Sequence, residues 1–548
     1  MHGKAVSYHL RTAVATGLAA NPPDMTRLTL CLSVLLPPTL AFATVHSRIP
    51  RAINNAPVID IGYAKYQGVF DSANNGTNYL GIRYAEPPTG DLRWRAPQSP
   101  ANDSNVVQPA STQPPPCFQA PTGEASTNPL ETLSKRASAP GTPTEDCLYL
   151  NVYFPGDTIP TKTLPTLVWI HGGGYIMGGA DTFTGSDLVR EANNEIVLVI
   201  IQYRLGLFGF LAGSEVKENG DLNAGLREYL PPEIFDLTKS LRYDGCKLIS
   251  RNLEGILRKL PSGANLQACA GSVLQHIVAR DGQTSPQLFR GAITSSTFLP
   301  SQYMYNDSVP ELLYSEVVSQ TNCSSADDSL ACLRAADAHT LGTVNNDINA
   351  GGFFGTFLFV PVVDGTFIAQ RPTEALKQRK VNGNALLSIT NTNEGTVFVN
   401  QTDPITNVKL YTSTLFPKLG SQQANETAQL YAALGTPLQQ DDLIMGELDG
   451  RESLRSRLQH TELTWSTILR EFLAAFQGAF MSFVVSQDPN DKISSTITPF
   501  WKLYSEGNTE MIFNRTVNAQ PDIHVDNIGT DLLERCNFWD SIGALTGQ

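Results

Sequence analysis

Three consecutive glycines follow a histidine in His171-Gly172-Gly173-Gly174-Tyr175, directly behind the apolar run Thr166-Leu167-Val168-Trp169-Ile170. Glycines in series let the backbone turn sharply and aim successive N–H groups into one cavity, where they can hold a developing oxyanion. A plain flexible turn and a phosphate-cradling loop use glycine too. No G-K-[ST] follows here, which disfavours the phosphate loop. A place immediately after a strand favours the oxyanion reading and hence acyl-transfer chemistry.

Such a loop must be held by a sheet, and the chain supplies one. Short β-branched runs at Thr166–Ile170, 196–201, 291–294 and 385–390 read as buried parallel strands. Helical stretches such as 466–485 lie between others, and strands alternating with helices predict a doubly wound α/β sheet. The Pro/Ser/Thr-rich stretch 109–144 reads as an exposed excursion. No internal repeat or clean linker divides residues 44–548, which are expected to form a single domain.

The N-terminal region carries an address. From Met25, a short segment with Arg27 precedes the apolar run 28–36 and a small-residue exit at Ala41-Phe42-Ala43, the layout of a secretory leader over 25–43. Residues 1–24 then read as an upstream extension, spurious or disordered. No run of spanning length occurs elsewhere, so no transmembrane segment is expected. Seven N-x-[ST] sequons, at Asn75, Asn102, Asn306, Asn322, Asn400, Asn425 and Asn514, fit a secreted glycoprotein. Cys117 with Cys147, and Cys323 with Cys332, lie close enough in sequence to staple local loops in an oxidising compartment, and Cys536 has no obvious partner. No pair has zinc-site spacing, so no metal is expected. The formal net charge of -13 disfavours nucleic acid as a partner, and nothing fixes an oligomeric state.

The chain resembles the type-B carboxylesterase family, which includes cholinesterases and fungal secreted lipases. Residues 79–90 (YLGIRYAEPPTG) with Leu92-Arg93-Trp94 are similar to its N-terminal signature. Glu145-Asp146-Cys147-Leu148-Tyr149-Leu150-Asn151-Val152, Gln202-Tyr203-Arg204-Leu205-Gly206 with Phe208-Gly209-Phe210, and Pro361-Val362-Val363-Asp364-Gly365 match further family segments. The resemblance runs from about Gly68 to Trp539. It implies an α/β-hydrolase fold, a Ser–Glu–His triad acting on a small-molecule or lipid ester, and no cofactor. It also implies disulfides Cys117–Cys147 and Cys323–Cys332, with Gly173 and Gly174 as oxyanion donors. Asn393-Glu394-Gly395-Thr396-Val397-Phe398 resembles the segment carrying the triad acid, which assigns Glu394 the task of orienting the imidazole. His460-Thr461-Glu462-Leu463 partly resembles the histidine segment, without the glycine expected after the histidine, and the lead-in 448–459 departs from the family. His524 in Asp522-Ile523-His524 is the runner-up, whereas His46, His276 and His339 read as surface or packing residues.

The nucleophile is missing. An α/β-hydrolase presents its serine on a strained G-x-S-x-G turn, and no such pentapeptide occurs. Where the family has G-E-S-A-G, this chain reads Ala264-Asn265-Leu266-Gln267-Ala268-Cys269. Family pattern is intact through Asn223-Ala224-Gly225-Leu226 and resumes at Gly271, leaving 227–269 without it. Two explanations stand: loss of catalysis in a secreted binding protein that keeps the fold, or a slip of reading frame. Codons favour the slip. Trp-Gly-Glu-Ser-Ala-Gly written TGG GGC GAA TCT GCA GGC G reads, one base later, as Gly-Ala-Asn-Leu-Gln-Ala, the sequence of 263–268. A family-like Phe-Gly-Gly-Asp-Pro-Ser-Lys-Val-Thr-Ile slips likewise to 253–262, and Ala-Leu-Arg-Trp-Val to 242–246. On this reading the serine codon overlaps that of Leu266, and Cys246 and Cys269 are products of the wrong frame.

Overall fold

The computed structural model describes residues 4–9, 56–126, 143–182, 184–228, 246–250, 270–285, 287–391, 398–400, 405–434, 462–516 and 520–548. Among these, eleven strands form one sheet. Across it run β14 (Pro521–Asn527), β13 (Thr509–Arg515), β1 (Lys4–His9), β12 (Ala385–Ile389), β11 (Gly291–Ser295), β10 (Cys246–Ser250), β8 (Thr166–Ile170), β9 (Val197–Ile201), β7 (Tyr149–Pro155), β5 (Gly76–Arg83) and β4 (Val69–Asp71). From β13 to β9 every pairing is parallel, while β14, β7, β5 and β4 pair antiparallel. A second sheet joins β2 (Val58–Asp60), β3 (Ala64–Gln67) and β6 (Asp103–Pro109). This is the doubly wound α/β arrangement that the strand and helix pattern predicts.

The parallel strands β8 and β9 read as nearly unbroken apolar runs because both faces are covered. In β8, Leu167 and Trp169 point into a core shared with Ala475, Phe480 and Phe483 of the long helix Glu462–Ser486. Val168 and Ile170, one residue out of phase, point into the opposite core with Val273 and Ile277 of helix Ala270–Val278. Each such aliphatic side chain contributes roughly 1.5–3 kcal/mol on burial, so a one-residue slip of β8 would exchange both cores at once.

Polar side chains stitch the family motifs to one another. Arg83 makes a two-pronged ion pair with Asp146, at 2.7 and 2.8 Å. Arg93 does the same with Glu145, at 2.6 and 2.7 Å, and both partners are buried. Asn223, in the left-handed region at φ 54°, donates to Asp364 Oδ2 (2.7 Å) and Val362 O (2.9 Å), and its own Oδ1 accepts from Val362 N. Arg204 pairs with the fully buried Glu228, whose carboxyl burial pushes up in pKa despite that partner. Glu228 falls in the block 227–269, so ordered contacts reach at least that far into it.

Three features differ from expectation. The excursion 109–144 is partly interior: Cys117, Phe118 and Ala120 are buried, Phe118 stacks on Phe208 at 4.7 Å, and Cys117 is bonded to Cys147. Residues 127–142 lie outside the described residues. Within the extension 1–24, Lys4–His9 forms β1, in register with Ala385–Ile389 on one side and paired with β13 on the other. Third, Cys246–Ser250 of the block without family pattern fills the sheet lane between β8 and β11. A Cys-Lys-Leu-Ile-Ser run carries enough β-branched and apolar character to pair there although nothing in its periodicity announces a strand.

Candidate active site

All the parallel strands end at one edge, where Ser250 is level with Ile170 and Ser295 with Ile389. Catalytic groups of open α/β sheets gather at this carboxyl edge. The glycine loop leaves β8 there. Gly173 (φ 109°) and Gly174 (φ 64°) both occupy the left-handed region. A Cβ on Gly173 would stand 2.1 Å from Met177 O, and one on Gly174 would stand 2.3 Å from Phe357 Cε2. Neither position admits another residue without displacing its neighbours.

The loop is held from behind. Tyr203 stacks on His171 at 4.3 Å and donates from its hydroxyl to His171 O (2.9 Å). His171 is buried, and its Nδ1 lies 3.0 Å from Gly172 O, so it packs the loop and is not placed as a base. Gly206 N donates to Tyr175 O (2.7 Å) at the start of helix Gly206–Phe210. The buried Asn345 secures that turn by accepting from Leu207 N (3.0 Å) and donating to Gln119 O (3.2 Å). Sequence reasoning did not single out Asn345, because an asparagine inside an otherwise ordinary helix carries no local signal.

Helix Ala270–Val278 begins against this loop. A Cβ on Gly271 would meet Phe298 O at 2.1 Å and Tyr175 Oη at 2.8 Å. Helix start, glycine loop and the turn after β11 therefore converge on one spot. Leu266, whose codon would overlap that of the serine, lies outside the described residues with the rest of 251–269. So do Glu394, in 392–397 just past the end of β12, and His460, two residues before helix Glu462–Ser486. The runner-up His524 sits on the hairpin strand β14, half exposed, with Nδ1 2.8 Å from Asp522 Oδ1 and its backbone opposite Ile512. His276 is a packing residue: buried, edge-on to Phe367, its Nε2 donating to Leu226 O (3.1 Å), with burial pulling its pKa down to about 4.

One wall of the site is aromatic. Phe298 lies edge-on to Phe357 (5.0 Å between centroids) and stacked on Phe398 (5.7 Å), and Phe357 lies edge-on to Phe398 (6.2 Å). Phe357 packs with Ala120 and Ile176, and its ring covers Gly174. No spacing in the sequence links these three, since they come from three separate turns.

The disulfides Cys117–Cys147 and Cys323–Cys332 are both formed, and Cys536 is half-buried. Asn75, Asn102, Asn306, Asn322 and Asn425 are exposed, whereas Asn400 and Asn514 are half-buried. Among the described residues no cluster of His, Cys, Asp or Glu could hold a metal ion, and no helix is long and apolar enough to cross a membrane.

Comparison with known proteins places this architecture. EstA of Aspergillus niger superposes with a TM-score of 0.69 at 26% identity, covering 90% of this chain and 100% of that one. A thermophilic PNB esterase shares the fold, with a TM-score of 0.64 at 20% identity over 88% of this chain and 99% of its own. In sequence, mouse (Mus musculus) Carboxylesterase 1E is 38% identical over 196 residues, 35% of this chain and 34% of its own length. Lipase 2 of Geotrichum candidum is 31% identical over 351 residues, 58% of this chain and 60% of its own. The chain thus spans between about a third and three fifths of these curated relatives. The model of the carboxylesterase family matches residues 55–229 and 266–442, leaving only 230–265 unmatched between them. On that match and the α/β-hydrolase fold around it, the chain belongs to the carboxylesterase family.

Proposed function

We propose that the natural gene product is a secreted carboxylic ester hydrolase whose nucleophilic serine is encoded in the frame overlapping Leu266. The observation that carries this reading is the convergence of Gly173-Gly174, Tyr175 and Gly271 at the carboxyl edge of the sheet, around the lane where an elbow serine would stand. Gly173 and Gly174, both left-handed and the second covered by Phe357, give the backbone geometry that an oxyanion hole uses. The family match breaks off at 229 and resumes at 266, so the unmatched stretch falls within the block 227–269 that the frame reading addresses.

In the mechanism that follows, the serine attacks the ester carbonyl and His460 takes its proton, oriented by Glu394. N–H groups of Gly173 and Gly174, with that of the residue after the serine, hold the tetrahedral oxyanion. Collapse expels the alcohol, which His460 protonates, and water then attacks the acyl-enzyme by the same route. Phe298, Phe357 and Phe398 form the wall facing the acyl chain, and a ring packed as closely on Gly174 as that of Phe357 favours short acyl groups. We further propose that a leader over 25–43 directs export, that residues 44–548 form a single domain, and that the exposed sequons are glycosylated.

The protein secreted from the spliced transcript should hydrolyse p-nitrophenyl acetate and lose that activity to a serine-directed organophosphate. Gly174→Ala, read by the same assay on folded protein, should lower kcat by about 100-fold or more. Secretion of a folded protein with no inhibitable hydrolysis would establish the inactive binding-protein reading instead.

A further inference from the structure

We propose that residues 543–548 brace the turn 296–302 and thereby set the width of the acyl-chain pocket at Phe298; the inference rests on the pocket reading above. The turn is gripped from two sides by glycines. On one side Phe298 O fills the space that a Cβ on Gly271 would need, at 2.1 Å. On the other, Gly547, left-handed at φ 77°, lies so close that a Cβ there would stand 3.1 Å from Gln302 N and 3.2 Å from Ser301 Cα. Two hydrogen bonds close the grip: Gln302 N donates to Gly547 O (2.7 Å), and Gln548 Nε2 donates to Leu299 O (2.8 Å).

The brace is itself well seated. Thr546 and Gly543 are buried, Gln548 N donates to Gly543 O (3.0 Å), and the short helix Gly543–Thr546 follows helix Thr530–Ser541. Lys377 ties that preceding helix down through Asp540 (3.1 Å). Inside the turn, Gln275 of helix Ala270–Val278 donates to Gln302 Oε1 (2.5 Å), and Ser296 N donates to Ile389 O (2.8 Å). Phe298 is thus fixed by groups that never reach the reacting atoms. They act as positioning residues, and their loss should alter selectivity before it alters chemistry.

Gly547→Val and Gln548→Ala in the secreted enzyme test this, read as kcat/KM for p-nitrophenyl octanoate relative to acetate. Gly547→Val should raise that ratio by about tenfold, chiefly through a lower KM for octanoate, with kcat for acetate within about twofold of the parent. Gln548→Ala adds no bulk and keeps the fold, and should shift the ratio in the same direction by about threefold. Phe357→Ala, which opens the wall directly, serves as control. A ratio raised by Phe357→Ala and unmoved by both brace variants would overturn the brace alone. A ratio unmoved by Phe357→Ala as well would overturn the pocket reading and the brace with it.

Discussion

A buried imidazole on helix Ala270–Val278 ties stability to pH. His276 has its pKa pulled from 6.5 down to about 4 by burial, so between those values the unfolded chain binds more protons than the native one. Its contribution is complete above about pH 6.5 and falls away as the pH drops towards 4, by on the order of 3 kcal/mol in all. His276→Gln keeps a donor for Leu226 O and removes the titration. Thermal midpoints should therefore fall less steeply from pH 7 to pH 4.5 in the variant than in the parent, and equal slopes would contradict the assignment. At this scale, legibility depended on backbone demand. Gly173 and Gly174 were readable because a left-handed backbone packed against Met177 and Phe357 leaves no room for a Cβ. Asn345, Phe298 and Phe357 were not, since each acts through a contact distant in sequence.

Among the elements, β8, β9, β11 and β12 lie where their β-branched runs placed them, and the helix expected over 466–485 runs Glu462–Ser486. Those elements are buried on both faces or packed along their length, so their periodicity is complete. β10 left no such trace, because Cys246–Ser250 sits in a block whose pattern belongs to no sheet. β1 raises a sharper question. Cleavage after Ala43 would remove Lys4–His9, and β12 and β13 would then close directly on each other, as both already run parallel to β1. The leader reading predicts Thr44 at the N-terminus of the secreted protein. Terminal sequencing that finds residues 4–9 retained would place β1 in the mature sheet and refute the leader.

For the whole molecule, the fold was legible because long motifs fix it from many directions at once: Arg83 with Asp146, Arg93 with Glu145 and Asn223 with Asp364 each join two of them. On the proposed reading the nucleophile was not, because a frame slip would change every residue of a segment while leaving its flanks intact. Family membership, the convergence at Gly271 and the unmatched gap at 230–265 all bear on that one segment. The most direct measurement is covalent labelling of the secreted protein with a fluorophosphonate, followed by mapping of the labelled peptide. The account predicts a labelled serine in Trp-Gly-Glu-Ser-Ala-Gly, running on into Gly271-Ser272-Val273-Leu274. An unlabelled protein whose peptides read Gly263-Ala264-Asn265-Leu266-Gln267-Ala268 as written would contradict it.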